Sequence, residues 1–233
     1  MRNLIFDLYG TLADVRTDEW SEDFWRRSGE YLRSLTVRDL DFAGEFRSLM
    51  AELAPHDERE TDIAAILSAL FRLGGAEYSG AQIAAIGHTL RLLATQKLRL
   101  YPGTPEALRG LRAQGKRLYL LSNAQAIFTA PELEQLGLLP YFDGVELSSD
   151  FGWRKPSPKF FQYLLQKYAL APDESVYIGN DYASDMRGAA GVGLQGVYIR
   201  TESSPLAAEP SRWSIPHFLS GSHEELYDYL LRL

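Results

Sequence analysis

The chain contains no cysteine in its 233 residues, which excludes disulfides, zinc–thiolate centres and thiol nucleophiles. That composition fits a cytoplasmic protein. No apolar run approaches the ~20 residues that span a bilayer, so no membrane partner is expected. The start, Met1-Arg2-Asn3-Leu4-Ile5-Phe6, is too short and too soon acidic for a signal peptide. Positive charge is also in short supply. The 24 Lys and Arg against 31 Asp and Glu leave a net charge of −7, which disfavours a nucleic-acid partner. Histidine is sparse, and His56, His88, His217 and His223 fall outside every motif below, so none receives a role. What remains is 45% hydrophobic, enough to build the core of one large domain or two modest ones. No internal repeat is visible, and nothing in the sequence sets an oligomeric state.

Leu4-Ile5-Phe6 reads as a short buried strand ending at Asp7. Helical periodicity then takes over for about eighty residues. Trp20, Phe24, Ser28, Tyr31, Leu32 and Leu35 form one face, and Phe42, Phe46, Leu49, Met50 and Leu53 a second. Ile63, Ile66, Leu67, Leu70 and Phe71 form a third, and Ile83, Ile86, Leu90 and Leu93 a fourth. Ser79 with Gln82 has the pattern of a capping box, and Gly74-Gly75 ends the third helix. Four amphipathic helices with short links predict a small antiparallel bundle.

After Pro102 helix and strand alternate. Helices are expected over Thr104–Gln114, near Glu132–Leu136, from Ser157-Pro158 through Tyr168, from Asp181 to Ala190, and from Ser222 to the end. Strands are expected at Leu118–Leu121, Val145–Leu147, Val176–Ile178 and Gly196–Ile199. Residues 200–213 read as a loop. Such alternation predicts an α/β fold: a Rossmann-like parallel sheet with helices on both faces, interrupted after its first strand by the helical bundle. The boundaries are 1–13 and 98–233 for the core and 14–97 for the insert, which would lie over the carboxyl end of the sheet.

Four segments fall at or just past the expected strand ends. They are Asp7 to Thr11, Ser122-Asn123, Arg154-Lys155-Pro156 and Gly179 to Asp185. Asp7 is a candidate nucleophile. Ser122 and Asn123 can donate hydrogen bonds to an anion, and Lys155 supplies a point charge to offset it. Asp181 and Asp185 are four apart and can share one face of a turn. With Asp7 they would make a cluster of three carboxylates, a donor set suited to Mg²⁺ and self-repelling without a cation.

Taken jointly, Phe6-Asp7-Leu8-Tyr9-Gly10-Thr11-Leu12, Leu121-Ser122-Asn123, Arg154-Lys155-Pro156 and Gly179-Asn180-Asp181-Tyr182-Ala183-Ser184-Asp185 resemble the haloacid dehalogenase superfamily of hydrolases, in the form with a helical cap after the first core strand. The resemblance implies an aspartyl intermediate on Asp7, with Ser122 binding the transferring group and Lys155 steadying both. It implies Mg²⁺ held by Asp7, the Tyr9 backbone carbonyl and Asp181, with Asp185 in support directly or through water. Thr11 would shape the first loop.

One position departs from the family's phosphatases, which carry an acid–base aspartate two residues past the nucleophile. Here Tyr9 stands there. A phenol with pKa ~10 can donate a proton but is a poor base at neutral pH. The stretch Phe6–Leu12 resembles instead the L-2-haloacid dehalogenases, whose halide leaving group needs no proton, yet the paired Asp181 and Asp185 are phosphatase-like. The leading expectation is a Mg²⁺-dependent phosphatase acting on a small phosphorylated metabolite, its leaving group protonated by Tyr9, by water or by the substrate. The alternatives are a metal-independent dehalogenase and a catalytically weak protein that binds a phosphorylated ligand or a partner. Trp20, Phe24 and Trp25 could line a substrate pocket, but helix packing explains them more simply. Arg16, Arg26 and Arg27 read as a solvated face.

Overall fold

The structure, a computed structural model, describes residues 1–206 and 215–233; the end of the expected 200–213 loop lies outside them. A six-stranded sheet runs in the order β5-β4-β1-β6-β7-β8. Its members are β1 (Asn3–Phe6), β4 (Arg117–Ser122), β5 (Gly144–Leu147), β6 (Ser175–Gly179), β7 (Gln195–Ile199) and β8 (His217–Phe218). Every pairing is parallel. The strand side chains sort by parity onto two faces, as a pleated strand requires. Leu4, Phe6, Leu118, Leu120, Val176, Ile178, Val197 and Ile199 belong to one buried cluster. They pack with Leu108 and Leu111 of α5 (Thr104–Ala113), Leu133 of α6 (Ala126–Gln135), and Leu226 and Leu230 of α10 (His223–Leu230). Ile5, Tyr119, Leu121, Tyr177 and Tyr198 belong to the other, with Phe160, Phe161 and Leu164 of α8 (Pro158–Lys167). Burial on both faces explains why these strands read as continuous apolar runs.

Between β1 and β4 lie four helices, α1 (Glu22–Arg33), α2 (Phe42–Leu53), α3 (Ile63–Leu73) and α4 (Gly80–Ala94). They share a third cluster built on Leu32, Phe42, Leu67, Leu70, Phe71, Ile83 and Ile86. Each begins at a side-chain cap, on Ser21, Asp41, Asp62 and Ser79 in turn, and the Ser79–Gln82 capping box is formed.

A two-stranded antiparallel ribbon absent from the sequence reading leads into and out of these helices. It pairs β2 (Ala13–Thr17) with β3 (Thr95–Leu100) and is laced by Lys97 and Arg99 to Asp14. The strand β8 was not anticipated either. Helix α6 begins six residues before the expected Glu132, despite the interior Pro131. The segment after Asp181 is a π-helical turn, Tyr182–Met186, that continues into the short α9 (Arg187–Ala190). A further short helix, α7 (Ser148–Phe151), follows β5.

The parallel register stacks the strand ends. Phe6 lies beside both Leu120 and Ile178, so Asp7, Ser122 and the residues after Gly179 emerge on one edge. Gly10 turns the first loop with φ +82°, and a Cβ there would lie 2.1 Å from Asn180 Nδ2. Gly10→Ala is therefore expected to lower stability by about 2 kcal/mol, combining left-handed backbone strain with overpacking. Urea denaturation checks this, and an unchanged midpoint would show that the contact with Asn180 does not constrain the loop.

Candidate active site

Asp7 leaves β1 with its backbone N–H still bonded to Ile178 O at 2.9 Å, which fixes the start of its side chain. Ser122, at the end of β4, donates to Asp7 Oδ1 at 3.0 Å. Lys155 Nζ donates to Asp7 Oδ1 at 2.8 Å, to Asp185 Oδ1 at 2.7 Å and to the Tyr177 hydroxyl at 2.7 Å. An ammonium has three N–H groups, and here all three are used. Tyr177 in turn donates to Leu121 O at 2.8 Å. Lys155 is 3% exposed and Asp185 1%, so the ion pairs are shielded from solvent. Gly179 makes room for the pairing, since a Cβ there would come within 2.3 Å of Asp185 Oδ2.

Asn123, expected to contact an anion, is spent on the chain. Its Oδ1 accepts from Lys155 N at 2.7 Å and its Nδ2 donates to Lys155 O at 2.9 Å. It clamps the lysine's backbone on both sides. Thr11 is fully buried, with its hydroxyl 3.4 Å from both Asp7 Oδ2 and Asn180 Oδ1.

The expected cluster of three carboxylates is not formed. Among the described residues no group of three acidic or histidine side chains is arranged to hold a metal ion. Two causes are visible. Asp181 Oδ1 caps the π-helical turn, accepting from Ala183 N at 2.8 Å and Ser184 N at 3.2 Å. Asp185 is drawn to Lys155, and its second oxygen accepts from Asp181 N at 3.0 Å.

The electrostatics follow from two acids sharing one base. Burial pushes Asp185 up to about 6, with Lys155 opposing the rise and the neighbouring Asp7 charge adding to it. Burial pulls Lys155 down, but Asp185 and Asp7 together hold it above its ordinary value. The ammonium is thus secure and the pair of carboxylates is under-neutralised.

Tyr9 is not placed as a proton donor. Its hydroxyl hydrogen-bonds Thr129 Oγ1 at 2.9 Å and donates to Glu132 in a short contact. Burial, reinforced by Glu132, drives the phenol well above its usual value. Glu132 is only 3% exposed and accepts from Arg91 Nε at 2.6 Å, while Arg91 also reaches Glu19 at 2.8 Å. This chain ties the loop after Asp7 to α6, α4 and the segment before α1.

Sequence reasoning missed Glu132, Arg91, Tyr177 and Asn180. An acid and a base on amphipathic helices read as solvated, and Tyr177 as one more core aromatic. His223 was given no role, yet its Nε2 donates to Thr11 O at 3.0 Å and its ring stacks on Tyr101 at 3.9 Å.

Fold and site place the chain among α/β enzymes that work at the carboxyl edge of a parallel sheet. A family model described as haloacid dehalogenase-like hydrolase matches residues 1–193. The chain belongs to that family of hydrolases. Glyceraldehyde 3-phosphate phosphatase of Methanocaldococcus jannaschii is 36% identical over 102 residues, 44% of this chain and 45% of that protein. The chain thus spans about half the length of the relatives it matches. Among solved structures, a HAD phosphatase from Thermococcus onnurineus superposes with a TM-score of 0.63 at 22% identity, covering 99% of this chain and 98% of the other. A 2-haloacid dehalogenase from Pseudomonas syringae gives 0.65 at 19% identity, covering 100% and 99%. At such identities the structures establish the fold alone.

Lys155→Met strands two buried carboxylates and is expected to cost about 3–5 kcal/mol at pH 8. Without the ammonium, the folded-state pKa values of the acids rise further above their unfolded values near ~4. Stability is then greatest at low pH and is lost as pH rises through the raised values. Urea melts should show a smaller deficit at pH 5 than at pH 8, and adding Asp185→Asn should recover part of it. A deficit independent of pH would contradict this charge assignment. Tyr9→Phe should lose about 1.5 kcal/mol of stability. Its turnover should change less than about tenfold, where loss of a general acid would cost ~100- to 10,000-fold.

Proposed function

We propose that this chain is a Mg²⁺-dependent phosphatase acting on a small phosphorylated metabolite through an aspartyl-phosphate intermediate on Asp7. The observation that carries the reading is the placement of the Asp7 carboxylate at the sheet edge, bonded by Ser122 and by the Lys155 ammonium. In this reading residues 1–13 and 98–233 are the catalytic core, and residues 14–97 are a cap over it.

The donor chemistry fits a small hard cation. Asp7 Oδ2 and Asn180 Oδ1 share the Thr11 hydroxyl at 3.4 Å each, and that hydroxyl has one proton to give. Two carboxylates also face one ammonium, leaving a net negative charge. Mg²⁺ takes one or two carboxylates together with substrate phosphate and water. Asp7 and the Tyr9 backbone carbonyl from the first loop, with Asn180 and Asp181 from the fourth, would hold it, and Asp185 would brace that loop. When bound, the ion offsets charge on the phosphoryl oxygens.

The protein's own groups do the rest. The Asp7 carboxylate attacks phosphorus, and the bond to the leaving oxygen breaks in line. Ser122 and Lys155 turn from Asp7 to the phosphoryl oxygens, where charge is spread. Water then attacks the aspartyl phosphate at phosphorus and returns Asp7 as a carboxylate. With the Tyr9 phenol committed to Glu132, the leaving oxygen takes its proton from water or from the substrate itself. Esters with good leaving groups, and acyl phosphates above all, suit such a site.

Tyr9 also favours a second reading, metal-free dehalogenation of a 2-haloacid, because halide needs no proton. One experiment separates the two. A phosphate-ester panel with and without Mg²⁺ should show metal-dependent release of phosphate, abolished in Asp7→Asn, and Mg²⁺ should raise the melting temperature. Metal-independent chloride release from 2-chloropropionate, with no phosphatase activity, would overturn the proposal in favour of the second reading.

A further inference from the structure

The four helices α1–α4 do not close completely around their core. A cavity of about 210 Å³ remains among Phe24, Trp25, Leu32, Phe46, Met50 and Leu67, and its only charged edge is formed by Glu19 and Arg91. Packed interiors seldom leave voids larger than a water molecule. An apolar cavity of about 150 Å³ stays dry and takes up benzene, so this one has room for a phenyl ring or a chain of roughly six carbons.

Two further observations point to a ligand. The Trp25 Nε1–H is buried without a hydrogen-bond partner, whereas a buried indole N–H usually finds one. The Trp25 ring itself is held between Phe24 and Phe46, at centroid distances of 5.2 and 5.4 Å. The cavity is also linked to the reaction site. Arg91 lines it and places its guanidinium carbon 5.7 Å from the Tyr9 ring centroid, two residues beyond Asp7, and 5.7 Å from that of Phe128. Trp20, 61% exposed, stands at the cavity edge beside Glu19.

We propose that this cavity receives the non-phosphate half of the substrate, an alkyl or aryl group with at most one acceptor oxygen for Trp25, and that Arg91 sets its entry. This rests on the phosphatase reading and narrows it, from any small phosphorylated metabolite to an apolar phosphate monoester. It also gives Trp20, Phe24 and Trp25 a role beyond helix packing.

Calorimetric titration of the full-length Asp7→Asn protein in Mg²⁺ tests the inference without relying on turnover. Methyl, n-butyl, n-hexyl and phenyl phosphates are compared with inorganic phosphate. Each methylene buried in the cavity should tighten Kd about fourfold until the cavity is full, and phenyl phosphate should bind at least about tenfold more tightly than methyl phosphate. Filling the cavity by Met50→Phe or Leu90→Phe, both at partly exposed positions, should flatten the series to within about twofold. A Kd independent of chain length in the unfilled protein, or a series unchanged in both filled variants, overturns the inference. Wild-type turnover of the same esters is read separately. If none is hydrolysed while the chain-length dependence of binding persists, the phosphatase reading falls and the apolar site stands.

Discussion

The Lys155 ammonium is the hub on which the site depends. Its three protons go to Asp7 from β1, to Asp185 from the turn after β6, and to the Tyr177 hydroxyl on β6. One buried charge therefore joins the ends of two neighbouring strands, while Asn123 beyond a third grips the lysine's own backbone. A buried ion pair adds stability only when its remaining hydrogen-bonding capacity is met. Here that condition holds for the lysine. The two acids are not balanced by it, because two carboxylates meet one ammonium. The imbalance gives the site its affinity for a cation in the proposed mechanism, and it explains why burial raises Asp185 so far.

A second network governs what the site does not do. Tyr9 follows Asp7 by two residues, yet its hydroxyl points to Thr129 and Glu132 on α6, and Glu132 is tied through Arg91 to α4. The phenol becomes a structural fastener between the first loop and the helices above it. Under the proposed function, the enzyme gives up acid assistance to the leaving group and keeps electrostatic stabilisation from Lys155 and Ser122. Such a trade restricts substrates to those that leave easily. The same fastener sets Arg91 at the rim of the apolar cavity, so one set of contacts bears on both reactivity and substrate choice.

Much of the architecture was legible in the sequence because it is written in short-range patterns. The apolar runs of β1, β4, β6 and β7 and the helical stripes of α1–α4 are local, and so are the caps at Ser79 and Ser222. The β2–β3 ribbon was not legible, since its charged residues look like a loop until Lys97 meets Asp14 across the pair. Helix α6 was read short because Pro131 lies inside it. At the site, Asp7, Ser122 and Lys155 come together as their spacing at strand ends predicts. Asp181 does not join them, because a residue that starts a helical turn is also its natural cap. Glu132 was invisible for a different reason: an acid on a helix reads as exposed unless the fold reveals what buries it.

The central claim is that Asp7, held by Lys155 and Ser122, is the group that bonds to phosphorus. The most direct measurement is ¹⁹F NMR of the protein with beryllofluoride, a phosphoryl mimic that attaches to a carboxylate, in the presence and absence of Mg²⁺. The account predicts slowly exchanging bound fluorine resonances that require Mg²⁺ and vanish in Asp7→Asn. Absence of any bound resonance in the native protein, or its persistence in Asp7→Asn, would contradict it.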